Sequence, residues 1–213
     1  RYGSFPGFHP IVELSLTFHT QVVGANGQRQ AMYLENVSGL AERILRNFDI
    51  RPEDSALVIS SSGGNVVPIE VAEGFRKRGV RVVAIIGRAH AERSSTRHAK
   101  GLKLSDVADL ILDTGIPPGD AMVELPGLET PVSPGSTVGG VLIVNAIKAE
   151  VAARLVARGI EPPVLTASCV IGPERASRIF EKAYDEHAHR LARLFERVGD
   201  ESENGETEER RSS

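Results

Sequence analysis

The sequence is poor in cysteine and aromatic residues, and it has no long hydrophobic run. Cys169 is the only cysteine among 213 residues, and tryptophan is absent. A single cysteine excludes an internal disulfide framework and offers no metal-ligand spacing, so we expect a half-buried, inert thiol in a reducing cytoplasm. No stretch approaches the roughly 18 apolar residues of a membrane span, and no signal peptide is visible, so we predict no membrane partner.

Charge of one sign and nucleotide-binding motifs are also missing. The chain carries 25 basic and 28 acidic residues, for a formal net charge of −3, which does not predict a nucleic-acid partner. There is no G-x-x-x-x-G-K-[ST] segment, and residues 24–27 lack the G-x-G-x-x-G order of a dinucleotide site. His187 and His189 lie two apart on a predicted helix and point away from each other. We therefore predict neither a cofactor nor a metal.

Apolar runs and amphipathic segments alternate along the chain. Residues 56–59, 80–86 and 107–112 have the composition of strands that are covered on both faces. A helix is predicted after the first strand, ending near Arg78, and the most hydrophobic helix is predicted over residues 136–158. This alternation predicts an α/β fold, a three-layer αβα sandwich with a parallel sheet.

The connecting segments give weaker signals. Residues 22–30 contain turn-forming Gly and Asn and are interpreted as a turn or loop, and residues 87–104 as a polar loop or short helix. A long, proline-rich connection leads to Ser136, and loops of that length are usually functional. Residues 160–172 are predicted to be extended.

Helix ends and the C-terminus complete this outline. Asn36 or Ser38 is the predicted N-cap of a helix whose apolar stripe begins at Leu40. A polar helix is predicted from Pro173 to about residue 198, and the acidic residues 198–213 are predicted to be a disordered tail. The helix over 136–158 is apolar on most of its surface, so we expect it to be buried or to form a subunit contact in a homodimer.

The main functional signal is Ser-Ser-Ser-Gly-Gly-Asn at residues 60–65, the serine loop. It directly follows the first predicted strand and precedes a helix, so its hydroxyls and the free N–H groups of that helix would converge. Gly63 and Gly64 would let the backbone approach a ligand closely, which predicts a cradle for a phosphate ester. The alternative is ordinary turn chemistry, with Ser62 or Asn65 capping the helix.

The serine loop resembles the Ser-x-Ser-Gly-x-Thr/Asn/Ser loop of SIS (sugar isomerase) domains, which bind phosphosugars. The resemblance implies that Ser60, Ser62 and Asn65 contact the phosphate, with Ser61 and Gly63 between them. Further similarity to a bacterial group of phosphosugar-binding SIS proteins covers about residues 8–160. It is carried by Pro-Ile-Val-Glu at 10–13, Pro-Pro-Gly-Asp at 117–120, Leu-Pro-Gly at 125–127, Ser-Thr-Val at 136–138, Asn145 and Glu150.

The resemblance also implies a SIS-type, flavodoxin-like sheet of five parallel strands. The sequence offers three convincing strands, so either residues 11–14 form a fourth or part of the sheet is missing. The resemblance implies that a central strand, ending in a second Gly-rich, Ser-containing loop, should precede Arg1. Residues 1–197 would then form an N-terminally truncated SIS domain.

Isomerases and etherases of this fold move protons with carboxylates and a histidine, which makes Glu13 and His19 candidate catalytic residues. The alternatives are a surface or capping carboxylate and a core or exposed histidine. Ser136 and Thr137 open a helix and are a second candidate phosphate contact, although Ser136 is equally a plain N-cap.

His90, Arg97, His98 and Asp120 lie on loops at the carboxyl edge of the predicted sheet, where ligands bind in such folds. They are further candidates, against the alternative of a solvated, charged loop.

Three functions are compatible with these residues. The first is a phosphosugar isomerase or etherase-type lyase, the second a non-catalytic phosphosugar sensor, and the third a subunit that mainly assembles. An acid/base group close to the bound sugar would distinguish the first from the second.

Overall fold

The computed structural model describes residues 4–5, 27–186 and 188–189. The chain divides into two compact units, one of residues 11–147 and one of residues 1–10 together with 148–213. The predictions for Glu13, His19, His187 and the acidic tail fall outside the described residues.

The first unit is built on a parallel sheet, which confirms the α/β prediction. Strands β1 (Ser55–Ile59), β2 (Arg81–Ile86) and β3 (Leu110–Asp113) lie in the order β1-β2-β3. Ala56 pairs with Val82, and Ala84 pairs with Ile111. Because all three strands run in one direction, the segments that follow them emerge at one edge of the sheet.

Helices and a short hairpin accompany the sheet within the described residues. The helices are α1 (Gly27–Leu34), α2 (Leu40–Leu45), α3 (Val66–Lys77), α4 (Arg88–Arg93), α5 (Leu104–Val107), α6 (Ser136–Ala157) and α7 (Ser168–Ile171). Strands β4 (Ala121–Val123) and β5 (Val132–Pro134) form an antiparallel pair. Residues 173–186 are also helical.

One face of the sheet carries the tightest core. Ile69 and Ala72 on α3, Val82 and Ala84 on β2, and Leu104 on α5 are all 0% exposed. They belong to one apolar cluster, in which α3 packs on β1, β2 and α5. Burying an aliphatic side chain of this size contributes about 1.5–3 kcal/mol, so this cluster fixes the positions of the loops beyond the strands.

Three local predictions were wrong. Residues 27–30 are not a loop but begin the described part of α1, whose last residue is Leu34. Val107 ends α5 and lies outside β3, because its buried side chain packs in the helical layer. Gly39, with φ +83°, is the N-cap of α2. Ser38 lies one residue before this N-cap, and its Oγ donates to Glu70 Oε1 on α3 at 2.5 Å.

Helix α6 was predicted to be buried or to form a subunit contact, and within the single chain it is not buried. Gly140 is its one buried residue within the described chain, whereas Val138, Val141 and Leu142 are 63%, 56% and 69% exposed. Across the described residues, no helix is long and apolar enough to cross a membrane. The apolar surface of α6 is therefore exposed in the single chain.

In the second unit, residues 4–5 lie beside the segment after α6. Leu165 N–H donates to Ser4 O at 2.7 Å, and Lys148 Nζ donates to Ser4 Oγ at 2.8 Å. The stretch 160–172, predicted to be extended, contains no strand and includes α7. Cys169 on α7 is exposed, so the expectation of a half-buried thiol was wrong.

Candidate functional site

The backbone carbonyls of the serine loop bond to neighbouring segments. Ser61 O accepts from Gly87 N–H at 3.0 Å, Gly63 O from Leu104 N–H at 2.8 Å, and Gly64 O from Arg97 N–H at 2.9 Å. Gly87 immediately follows β2, so the loops after two adjacent strands are joined directly. These bonds fix the orientation of three peptide groups.

Each fixed carbonyl orients the N–H group of the next residue. In a trans peptide the C=O and N–H bonds point in opposite directions, and none of the described peptides is cis. The N–H groups of Ser62, Gly64 and Asn65 therefore point away from the segments that bind the carbonyls. Within the described chain, those of Ser62 and Asn65 meet no acceptor, and that of Gly64 reaches only Ser62 Oγ at 3.4 Å.

One hydroxyl group of the loop also makes no hydrogen bond. Ser61 Oγ is buried and has no hydrogen-bond partner among the described residues. An unsatisfied buried hydroxyl costs about 1–3 kcal/mol, so such a group in a native loop requires an explanation. A bound anion that accepts from Ser61 would supply one.

Gly64 is required by a close backbone contact. A Cβ atom at this position would lie 2.6 Å from Ser95 O, a backbone atom that cannot rotate aside. The glycine thus lets residues 95–97 approach the serine loop closely enough for Arg97 N–H to reach Gly64 O.

A carboxylate that sequence reasoning missed lies against this loop. Asn65 Nδ2 donates to Glu35 Oε2 at 2.6 Å, and Val67 N–H donates to Glu35 O at 2.9 Å. Asn65 is the N-cap residue of α3, but its side chain makes no capping bond, so the capping alternative for Asn65 was wrong. No local signal indicates the pairing of Glu35 and Asn65, because the two residues are 30 positions apart.

The N-terminus of α6 is occupied by a carboxylate of the protein itself. Asp120 Oδ1 accepts from Ser136 N–H at 2.7 Å and from Gly135 N–H at 3.1 Å, and Asp120 Oδ2 accepts from Ser136 Oγ at 2.7 Å. The predicted phosphate contact Ser136 therefore has its hydroxyl and amide bonded within the chain. Thr137, the next residue, is exposed.

The remaining loop candidates have different surroundings. His90 Nδ1 accepts from Gly119 N–H at 2.9 Å, and Asp120 caps α6 as described. His98 is 9% exposed, and its Nε2 lies 3.9 Å from Glu73 Oε2 on α3. Arg97 is exposed, and in the part of the chain that the structure describes its side chain makes no hydrogen bond or ion pair.

A cavity of about 270 Å³ opens beyond the end of β2. It is lined by Ile86, Arg88, Ala91, Glu92, Lys103 and Ser105. Ile86 also packs near Gly63, so the cavity and the serine loop share a wall residue. Lys103 Nζ is already bonded to Ala91 O at 2.5 Å, which leaves Arg88 as the more available cation of this lining. The described residues contain no cluster of His, Cys, Asp or Glu that could hold a metal ion.

Asp113 links the ends of β3 and β2. Its Oδ1 accepts from Arg88 N–H at 2.9 Å and from Gly115 N–H at 3.0 Å. These two backbone donors lower the pKa of the Asp113 carboxyl group, with a smaller contribution from the Arg88 charge and an opposing one from burial. The carboxylate form therefore holds the start of α4 at the carboxyl edge of the sheet.

Comparisons with known proteins agree with this fold and loop. The SIS domain family matches residues 1–87, a range that includes the serine loop. The chain is 33% identical over 186 residues to a UPF0309 protein of Geobacillus kaustophilus, covering 87% of this chain and 72% of that protein. The chain belongs to the UPF0309 family of bacterial SIS-domain proteins.

Relatives in other bacteria show the same similarity over different lengths. A UPF0309 protein of Streptomyces griseus is 41% identical over 139 residues, which cover 65% of this chain and 55% of that protein. One from Listeria monocytogenes is 32% identical over 186 residues, or 73% of its length. The UPF0309 chain described here thus spans between about half and three quarters of these relatives. Its SIS domain suggests phosphosugar binding as the class of function.

Proposed function

We propose that this UPF0309 protein binds a phosphorylated sugar, with the phosphate held by the serine loop. The observation that supports this most is the set of loop N–H groups, those of Ser62, Gly64 and Asn65, that are turned away from their fixed carbonyls. Consecutive N–H groups at a helix N-terminus favour an anion through both hydrogen bonds and the helix dipole. Ser60, Ser61 and Ser62 would add hydroxyl donors.

A cation is available to complete such a site. Arg97 N–H bonds to Gly64 O, and the exposed Arg97 side chain extends from the same residue. A guanidinium group can donate two parallel hydrogen bonds to phosphate oxygens, which are among the strongest that proteins form. Arg97 therefore joins the serine loop as a proposed phosphate contact.

We further propose that the site is catalytic and that Glu35 moves a proton on the sugar. The Glu35 carboxylate contacts the serine loop directly, because its Oε2 accepts from Asn65 Nδ2 at 2.6 Å. Removal of a proton from a carbon next to a carbonyl or ring oxygen requires a base within hydrogen-bond reach of the sugar. This favours an isomerase or etherase-type lyase over a non-catalytic sensor, the alternative in which Glu35 only holds Asn65. Glu13 and His19 stay predictions of additional acid/base groups.

Binding is tested by thermal shift of the protein against a panel of sugar phosphates. A ligand at 100 times its dissociation constant stabilises the native state by about 2.7 kcal/mol, so binding raises the midpoint of unfolding measurably. The double variant Ser60→Ala/Ser62→Ala should lose this shift while keeping its own unfolding midpoint close to that of the parent. Ser55→Ala, at the opposite end of β1, is the matched control and should keep the shift. An undiminished shift in the double variant would place the phosphate elsewhere.

Catalysis is tested by hydrogen exchange into the bound sugar phosphate. In deuterated water, an enzyme that removes a proton beside a carbonyl incorporates deuterium at that carbon, which NMR of the sugar detects. Glu35→Gln should lower the exchange rate by about 100-fold or more, the range of general acid/base contributions, with the thermal shift retained. Glu53→Gln, an exposed carboxylate before β1, should leave the rate unchanged. Binding without exchange in the parent protein would support the sensor.

We also propose that the protein is a homodimer that uses α6. Val138, Val141 and Leu142 are each more than half exposed on this helix, and a contiguous apolar surface of this kind is typical of an interaction site. Analytical ultracentrifugation should give twice the monomer mass for the parent. Val141→Glu with Leu142→Glu should give the monomer mass, and a monomeric parent would contradict the proposal. A cytoplasmic location remains a prediction from the single cysteine.

A further inference from the structure

A short segment that follows α4 determines the backbone orientation of the serine loop. Residues 96–104, the latch, provide two of the three donors that fix its carbonyls, Arg97 N–H to Gly64 O and Leu104 N–H to Gly63 O. These are the carbonyls that orient the N–H groups of Gly64 and Asn65. If the latch moved, both donors would be free to rotate.

The latch is held together by the hydroxyl group of Thr96. Thr96 Oγ1 donates to Leu102 O at 2.6 Å and accepts from His98 N–H at 3.1 Å, so it joins the two arms of the segment. The same oxygen lies 3.4 Å from Gly64 O. A hydroxyl has one hydrogen to donate, and the shorter bond to Leu102 takes it.

A buried histidine of the latch lies next to α3, and an adjacent lysine pairs with that helix. His98 is the only polar residue among the buried side chains of the described chain, at 9% exposed. Its Nε2 faces Glu73 Oε2 at 3.9 Å, and Lys100 Nζ lies 3.6 Å from the other oxygen of Glu73. At the far end, Lys103 Nζ donates to Ala91 O on α4. Both ends of the latch are thus attached to helices that pack on the sheet.

We propose that Thr96 and His98 are positioning residues, which hold the latch so that the Gly64 and Asn65 amides stay oriented toward a bound phosphate. This inference rests on the proposed phosphate site. Neither side chain touches the ligand in this arrangement. Removing the Thr96 hydroxyl disorders the amide donors while Ser60 and Ser62 remain in place.

The test is a titration with inorganic phosphate, followed by the backbone amide NMR signals of Gly64 and Asn65. Thr96→Val has the same shape without the hydroxyl and should weaken phosphate binding about tenfold, the loss of one well-oriented donor. It should also shift both amide signals before phosphate is added. Thr96→Ser restores the hydroxyl and should restore affinity and signals. Equal affinities for the parent, Thr96→Val and Thr96→Ser would overturn the inference.

A second pair of variants covers the case in which Thr96→Val fails to fold. Gly101, in the latch, has φ +73°, and Gly159, after α6, has φ +75°, and neither would have a Cβ neighbour within 4 Å. Gly101→Ala and Gly159→Ala therefore impose the same backbone strain at two places. Gly101→Ala alone should weaken phosphate binding, and equal binding by both variants would contradict the latch. If phosphate binds the parent protein at no concentration and shifts neither amide, it is the proposed phosphate site that fails.

Discussion

Helices α3 and α6 begin with a similar sequence pattern, but different groups lie at their N-termini. Each helix is preceded by glycine and by hydroxyl residues, and the sequence predicted an anion site at both. At α6 the anion is Asp120, which accepts from Ser136 and Gly135. At α3 the loop amides of Ser62 and Asn65 have no acceptor in the described chain, and the Asn65 side chain is turned toward Glu35.

The difference shows that a helix N-terminus becomes a ligand site only when the protein leaves it open. Asp120 has φ +69°, a conformation that an aspartate adopts more readily than most residues, and this brings its carboxylate over α6. No carboxylate has an equivalent position at α3 within the described residues. There the loop carbonyls bond to neighbouring segments, and Val67 N–H donates to Glu35 O, whereas the N–H groups of Ser62 and Asn65 meet no acceptor among the described residues.

The largest expected effect is at Gly64. Gly64→Ala puts Cβ against Ser95 O, so the backbone must move, at a cost of about 1–3 kcal/mol in unfolding free energy and with loss of phosphate binding. Chemical denaturation and phosphate titration measure the two effects. Gly127→Ala, where φ is +85° and the space is open, should cost stability without loss of binding. Retained binding in Gly64→Ala would mean that the close approach of residues 95–97 is not needed.

A smaller effect is expected at the capped helix. Asp120→Asn keeps an acceptor oxygen and tolerates the positive φ, but it removes the charge at the start of α6, which should lower the unfolding free energy by about 0.3–1 kcal/mol. Thermal unfolding measures the change. Phosphate affinity should stay the same, because α6 has no part in the proposed site. A large loss of affinity would show that the two helix ends do not act separately.

The smallest effect concerns pH. The pKa of Asp113 is lowered in the folded state by the Arg88 and Gly115 amides, so its carboxylate stabilises the fold above the unfolded value of about 3.9 and ceases to do so as pH falls through the folded value. Asp113→Asn should therefore be less stable than the parent at pH 7, by less than about 1 kcal/mol for this exposed group. The difference should shrink as the pH falls below the unfolded value of about 3.9. Urea unfolding at several pH values measures it, and a constant difference would contradict the assignment.

The parallel sheet was predictable because its strands are continuous apolar runs, a pattern that few other structures produce. The short helices and strands were not predictable. Helices α4 and α5 and strands β4 and β5 are each six residues or shorter, too short for a periodic pattern to be distinguished from a loop. The N-cap of α2 failed for another reason, since the bond from Ser38 to Glu70 joins two helices and leaves no local trace in the sequence.

The candidate site was predictable where it is continuous in the chain or lies after a predicted strand. The serine loop is one stretch of six residues and Arg97 lies on the loop region after β2, whereas no such signal indicates Glu35 or Leu104. Asp120 likewise meets Ser136 across 16 positions. The packing of the loops decides which carboxylate approaches each helix, and local sequence patterns do not predict that packing.

The strand order β1-β2-β3 has a consequence for how the polypeptide acquires its structure. Each described strand pairs with the strand immediately before or after it in the sequence. The strands therefore leave the ribosome in the order in which they pair. The entropic cost of closing each crossover is similar and moderate, and among the described strands of this sheet none has to wait for a distant partner. Nascent chains of this segment can therefore gain protease resistance stepwise during translation.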